Sequence, residues 1–360
     1  MLLNIKTDAA YDAVALGEIM LRLDPGSGRI RTARHFDVWE GGGEYNAIRA
    51  LSQVFGLRTA AVSALADNDI GRLIEGLARA GGVDTSLINW VPDDGTGRAA
   101  RNGLNFTERG FGIRGARGVS DRGNTAASRL GPDDVDFADL FGVRGVRWFH
   151  TGGIFAGLSY NACATAVAAM AAARAHGTVV SVDLNYRPSL WADHGGEQRA
   201  ADVFTQLTAS ADIVIGGETD FLDRLAIEPP VPAEDGEQRF STIASRTLAR
   251  FPNLRMVAAT ARRVSSASRN DWQGMCHTLA TGTVVSPERK DLEILDRVGG
   301  GDGFAAGLIY ALLQGLPVQE AVDIGAAHGA LAMTTPGDNS MATLAEVLSA
   351  AQGLGAATER

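Results

Sequence analysis

Cysteine is nearly missing from this 360-residue sequence, and the two that occur, Cys163 and Cys276, stand far apart with neither a C-x-x-C pair nor metal-ligand spacing. A disulfide framework and a cysteine-based zinc site are not suggested, and the usage fits a reducing compartment. Long apolar runs are missing too: the longest alanine-rich stretch, "ACATAVAAMAAARA", is interrupted by Arg174 and is too short to span a bilayer. The first residues, "MLLNIKTDAAYDA", carry Lys6, Asp8 and Asp12 where a secretory signal needs an apolar stretch. The expectation is a cytoplasmic protein with no membrane contact. Positive charge is in deficit, at a formal net charge of -9, which argues against general nucleic-acid binding because phosphate neutralisation needs a basic surface. A local basic pocket is compatible with that balance. Two common nucleotide signatures are absent as well, the G-x-x-x-x-G-K-[ST] loop and a G-x-G-x-x-G opening a helix after a strand.

Glycine, by contrast, is abundant at 44 residues, which implies many tight turns or close backbone approaches. The hydrophobic fraction of 45% and charged fraction of 21% are ordinary for a globular protein, and the length allows one large α/β domain or a large one with a small one. Short apolar runs, "YDAVALGE", "TAAVSAL", "VRWFHTGG", "GTVVSVDLN", "ADIVIGG" and "LRMVAAT", read as buried strands. Between them "NAIRALSQVFG", "IGRLIEGLARAGG", "NACATAVAAMAAARAHG" and "STIASRTLARF" carry apolar residues at helical spacing. Strand and helix by turns predict βαβ units and a mostly parallel sheet covered on both faces. Two glycine- and arginine-rich stretches, about 21–40 and 95–118, break the rhythm; they read either as strands of a small accessory sheet inserted in the main domain or as two surface loops. "EPPVPAEDGE", 228–237, reads as a surface excursion.

The segment "DRVGGGDGF" sets three glycines and an acid before an apolar run. Gly299, Gly300 and Gly301 can turn successive N–H groups into one concavity, and the helix that follows adds the partial positive charge of its N-terminus. Together they would form an anion hole. Asp302 would repel a bound phosphate, so its presence makes sense if it accepts a proton from a substrate hydroxyl while the amides stabilise a transferring phosphoryl group. The structural alternative is a tight strand-to-helix turn with Asp302 as its N-cap. A second glycine cluster, "WEGGGEYNAIRAL", also runs into a helix and offers Glu44 and Asn46 for hydrogen-bonding hydroxyls, or for capping.

These two segments resemble the signatures of the PfkB, or ribokinase-like, carbohydrate kinases: "GGGEYNAIRALSQVFGLRTAAVSALADNDIGR" the N-terminal one and "DRVGGGDGFAAGLIYALL" the C-terminal D-x-x-G-x-G-D one. The resemblance implies a three-layer α/β/α domain over residues 1–360, with a mostly parallel central sheet and a small β lid from the two irregular stretches. It implies transfer of the ATP γ-phosphoryl group, with Mg²⁺, to a sugar hydroxyl. Carried over, Asp302 is the catalytic base, Gly299 to Gly301 the anion hole, Asp296 a nearby substrate contact, and Gly42, Gly43, Glu44 and Asn46 the sugar-binding stretch. The middle of the chain is similar to the 2-keto-3-deoxygluconate kinases. "SVDLNYRPSLW" resembles their D-x-N-Y-R segment, with Arg187 toward the substrate carboxylate and Asn185 toward the nucleotide, and "GVSDRGNTAASRL" supplies Arg122. A sugar acid needs such a guanidinium fork and a neutral hexose does not. A salt bridge from Arg187 to Asp183 and solvent exposure of Arg122 are the structural alternatives.

The sequence departs from the pattern at several points. The family's N-x-x-E appears as "GETD", where Gly217 replaces Asn and Asp220 keeps a shorter carboxylate for metal. The T-x-G-x-x-G nucleotide loop is replaced by "TARRVSSAS", in which Arg262 and Arg263 meet nucleotide phosphates or are surface charges. Asn105 stands where the gluconate-type kinases often carry a tyrosine. In "AAHGALAMTTPGDNSMATLAEV", similar to the adenine-bordering segment, Ala327, Gly329 and Asn339 are the candidates and His328 reads as a core histidine. The expected protein is an ATP-dependent sugar-acid kinase acting on 2-keto-3-deoxygluconate. A kinase of a neutral sugar or nucleoside and a degenerate sugar-binding sensor are the alternatives. The resemblance also leaves room for a homodimer through the lid.

Overall fold

The computed structural model describes residues 2–231 and 236–354, so part of the 228–237 connection lies outside the described residues. The continuous apolar runs form strands buried on both faces, as a parallel sheet between two helical layers requires. In chain order the strands are β1 (Tyr11–Leu16), β2 (Met20–Asp24), β3 (Asp37–Gly41), β4 (Thr59–Asp67), β5 (Ile88–Pro92), β6 (Leu104–Glu108) and β7 (Arg117–Asp121). They continue with β8 (Val146–Gly152), β9 (Val179–Asp183), β10 (Ile213–Ile215), β11 (Met256–Ser266), β12 (Arg269–Thr278), β13 (Gly282–Val285) and β14 (Arg289–Glu293). The large sheet has the order β13-β12-β11-β10-β9-β8-β1-β4-β5, with β14 also paired to β12. From β11 to β5 every pairing is parallel, and β11 to β14 form an antiparallel margin.

Helices cover both faces. Tyr160–Ala175, Gly196–Ala209 and Gly236–Arg250 bury Met170, Phe204 and Leu248 on one side, while Gly43–Gln53, Asp69–Ala80, Gly300–Leu313 and Val318–Ala332 bury Leu51, Ile74, Leu308 and Val322 on the other. Local chemistry sets the helix ends. Asn68 accepts from the amides of Ile70 and Gly71 at 3.1 Å each to start Asp69–Ala80, and Thr343 with Glu346 forms a capping box before Leu344–Ala351.

The chain leaves β1 toward β4 and β5 on one side and returns through β8, β9 and β10 on the other. This makes the β1/β8 boundary a switch point, where the carboxyl ends of the strands leave a crevice. Over that end lies the second, four-stranded sheet, β3-β2-β6-β7, drawn from the two irregular stretches. Arg22 of β2, with no solvent exposure, ties this sheet to the main body: it bonds Asp338 Oδ1 at 2.6 Å and Asp24 Oδ2 at 3.1 Å, and also pairs with Asp296.

Candidate active site

The carboxyl ends of β8, β9 and β10 open with the small sheet onto a cavity of about 830 Å³, which reaches the first turn of helix Gly300–Leu313. At that turn Gly299 has φ +82°, and a Cβ on it would lie 2.1 Å from the Asp338 carbonyl oxygen, so only glycine fits. The Gly303 amide makes the first helical bond, to the Gly299 carbonyl at 2.7 Å. The amides of Gly300, Gly301 and Asp302 precede it and have no intrahelical acceptor. A Cβ on Gly301 would meet nothing within 4 Å, so this end is open to a ligand.

The second glycine turn faces the first. A Cβ on Gly42 would sit 2.0 Å from the Glu18 carbonyl oxygen, which forces the close approach that brings Asn46 inward. Asn46 accepts from the Gly42 amide at 3.2 Å and donates Nδ2 to Asp302 Oδ2 at 2.7 Å. A Cβ built on Gly43 would be 3.9 Å from Asn185 Nδ2 and 4.0 Å from Asp302 Oδ1, so three separate segments converge at one carboxylate. Asn185 holds φ +36°, a conformation uncommon outside glycine and often found at functional positions.

Around that point lies a concentration of acid. Burial, with the Asp338 and Glu44 charges, pushes Asp302 up to about 7, against the opposing Asn46 hydrogen bond and the Arg187 charge. Burial and the charges of Asp302, Asp220 and Glu44 push Asp183 well above the usual carboxylate range. Arg187, at the end of the β9 loop, donates to the Tyr186 carbonyl at 3.4 Å; among the described residues it makes no close ion pair with Asp183, although its charge opposes the upward shift of that acid. Arg122 donates Nε to the buried Glu18 Oε2 at 2.6 Å. A carboxylate poised near neutrality, an adjoining cradle of amides and a wall bearing arginines suit proton abstraction from a hydroxyl beside a transferring anion. The sequence profile of the pfkB family carbohydrate kinases matches residues 10–229 and 275–344.

The chain belongs to the pfkB family of carbohydrate kinases. It is 29% identical over 97% of its length, and 99% of the relative's, to a 2-dehydro-3-deoxygalactonokinase of Haloferax volcanii. It is 27% identical over 92% of its length, and 91% of the relative's, to a 2-dehydro-3-deoxygluconokinase of Thermoproteus tenax. The crystal structure of a 2-dehydro-3-deoxygluconokinase of Thermotoga maritima superposes with a TM-score of 0.86 at 32% identity, covering 95% of this chain and 99% of that one.

In this pfkB kinase the cavity is lined by Gly42, Gly43, Asn46, Asn105, Arg122, Asn185, Arg187, Asp220, Arg262, Gly299, Gly301 and Asp302, all singled out from the sequence. Others are directed elsewhere. Glu44 is buried and accepts from the Phe155 amide at 3.0 Å, bracing the helix against the end of β8 and not facing the cavity. Asp296 is taken up by Arg22, and it caps Val298 through Oδ1 at 3.2 Å. Gly300 and Gly329 abut one another where their helices cross: a Cβ on Gly329 would be 2.5 Å from the Gly300 carbonyl oxygen. Ala327 is fully buried in that same packing. Asn339 donates Nδ2 to the Glu40 carbonyl at 2.8 Å and fastens its loop to β3. His328 bonds the Gly303 carbonyl through Nδ1 at 2.7 Å, and burial lowers it to about 4, a neutral core histidine.

The cavity also contains Trp272, Arg297 and Asp338, for which the sequence suggests no role, and Asp183, which it suggests only as a salt-bridge partner of Arg187. Asp183 lay inside the D-x-N-Y-R segment, and Arg297 inside the D-x-x-G-x-G-D segment. The "TARRVSSAS" stretch is no loop: β11 continues through it to Ser266 and pairs with β12. Arg262 lies opposite Trp272 in that ladder, and residues opposite one another share a face, so both side chains reach the cavity. Arg263 points the other way and pairs with Asp271 at 2.5 Å. For a divalent ion carried with a nucleotide, Asp183 and Asp220 offer two carboxylates, the small protein share that Mg²⁺ bound mainly to phosphate and water takes. Asp220 already accepts from the amides of Gly217, at 2.9 Å, and Tyr186, at 3.4 Å, which orients it without the missing asparagine.

Proposed function

We propose that this kinase phosphorylates a 2-keto-3-deoxy sugar acid, with 2-keto-3-deoxygluconate as first candidate, at its terminal primary hydroxyl, using ATP in the cytoplasm. The observation that carries the reading is Asp302, pushed up to about 7 beside open helix-terminal amides and held by Asn46. In the reaction the hydroxyl proton passes to an Asp302 oxygen, the hydroxyl oxygen bonds to the γ-phosphorus, and the bond to the β,γ-bridging oxygen breaks as ADP leaves. The amides of Gly300, Gly301 and Asp302 receive the charge on the transferring group. Arg187 and Arg122 orient the substrate carboxylate, and Glu18 fixes Arg122 for that task. Mg²⁺ arriving with ATP would sit toward Asp183 and Asp220 and neutralise phosphate oxygens. The small sheet acts as a lid that keeps water from the γ-phosphate. A homodimer through that sheet belongs to the same reading, supported by β7, an edge strand whose five residues are all exposed.

A galactonate-type substrate is the second reading, favoured by the name of the Haloferax relative. ADP release measured at fixed Mg·ATP with both 2-keto-3-deoxy acids, fructose and ribose decides among them. Turnover on either acid alone supports the reading. Preference for a neutral sugar removes the carboxylate role of the arginines, and sugar binding without ADP release identifies a sensor.

A further inference from the structure

Arg262 and Arg297 present a second concentration of charge in the cavity, opposite in sign to the carboxylates. Both line it, from unrelated segments: Arg262 from the middle of β11, and Arg297 from the turn between β14 and the glycine run. Among the described residues neither has an acidic partner, whereas Arg263 is paired with Asp271 and Arg22 with Asp24 and Asp338. Arg297 Nε is buried and has no hydrogen-bond acceptor among the described residues. Arg262 is exposed at the cavity, yet partial desolvation by its surroundings, followed by the like charges of Arg297 and Arg187, holds its guanidinium below the usual arginine range. Guanidiniums left close together and uncompensated repel one another, and that cost is offset when a polyanion enters between them. The backbone at this end of the cavity runs as a regular ladder with β12 instead of a loop that could turn its amides toward an anion, so side chains must supply the donors.

We propose that Arg262 and Arg297 form a guanidinium clamp on the polyphosphate of the donor nucleotide, Arg297 acting from the base of the glycine run and Arg262 from the facing strand. This rests on the kinase reading above and adds to it Arg297 as a nucleotide-binding residue, acting as a pair with Arg262. The clamp replaces backbone amides with charged donors, so nucleotide affinity depends on ionic strength and on the number of phosphates.

Isothermal titration of the full chain with the non-hydrolysable analogue AMP-PNP, with adenosine and with 2-keto-3-deoxygluconate tests this without turnover. Arg297→Met and Arg262→Met are each expected to weaken AMP-PNP about 10-fold or more, the worth of a charge-assisted hydrogen bond, and to leave adenosine and sugar-acid binding within about 2-fold. Arg297→Lys is expected to recover part of the loss, and raised salt to weaken the wild type more than either Met variant. AMP-PNP affinity unchanged in both Met variants overturns the clamp, as does an equal loss for adenosine or a loss confined to the sugar acid. If the protein fails to turn over any sugar acid but these titrations give the expected pattern, the substrate reading falls and the clamp stands.

Discussion

Asp302 is raised because it is desolvated among other acids, and that has two consequences with opposite pH signs. A base must be ionised, so kcat/KM for the sugar acid should rise with pH and level off above about 7, as steady-state rates across pH 5–9 will reveal. A flat profile would detach Asp302 from proton transfer. Stability runs the other way. The folded value lies above the roughly 3.9 of an unfolded chain, so the folded state is destabilised progressively as pH rises from about 4 through about 7, and fully above that. Asp302→Asn, which removes the ionisation, should therefore melt higher than the wild type at pH 8, with a narrower gap at pH 5. Arg187 is exposed and among the described residues makes no close ion pair, so Arg187→Met should cost little stability and raise KM for the sugar acid about 10- to 100-fold, the worth of a charge-assisted hydrogen bond. The placing of Asp302 in a first helical turn behind a glycine run is readable in the sequence because the glycines before it and the helix after it are contiguous. For Glu44 the sequence leaves a sugar contact or a cap open, because its neighbours in sequence share the cavity while its own carboxylate is drawn to the Phe155 amide, 111 residues away.

At the start of helix Gly300–Leu313 the three glycines do different work, which single alanines can separate. Gly299→Ala meets both a left-handed φ and the Asp338 carbonyl 2.1 Å away, so it should lower the melting temperature by several degrees and impair turnover together. Gly301→Ala meets nothing within 4 Å, so its melting temperature should stay near the wild type while the methyl group intrudes on the phosphoryl site and kcat falls. Equal melting temperatures with unimpaired turnover for Gly301→Ala would place the phosphoryl group elsewhere. At this scale the alternation of strand and helix was readable from hydrophobic period alone. Beyond Thr260 β11 was not, because its outer half, "ARRVSS", is polar and becomes a strand only through its register with β12. For the small residues of "AAHGALA" the family resemblance implies an adenine border at Ala327 and Gly329, whereas in the structure Gly329 packs closely on Gly300 and Gly303 where two helices cross, a contact between segments that local sequence does not contain.

The whole molecule is two sheets that meet at buried charges. Arg22, from the small sheet, is shared by Asp24, Asp296 and Asp338, and the last two flank the glycine run in space. Arg22→Met should cost about 3–5 kcal/mol, because it leaves buried carboxylates uncompensated. Since burial already raises Asp296 and Asp338, protonation should relieve part of that cost, and thermal melts should show a smaller loss at pH 5 than at pH 8. The α/β/α arrangement was legible from the order of elements, but neither this ion cluster nor the meeting of Arg262 with Arg297 could be, since each joins segments that only the fold brings together. All of it converges on one carboxylate facing one amide cradle. The most direct measurement is kcat of Asp302→Asn alongside its dissociation constants for sugar acid and AMP-PNP. The account predicts turnover lower by roughly 10²–10⁴-fold with both affinities within a few-fold of the wild type. Turnover near the wild-type rate would contradict it.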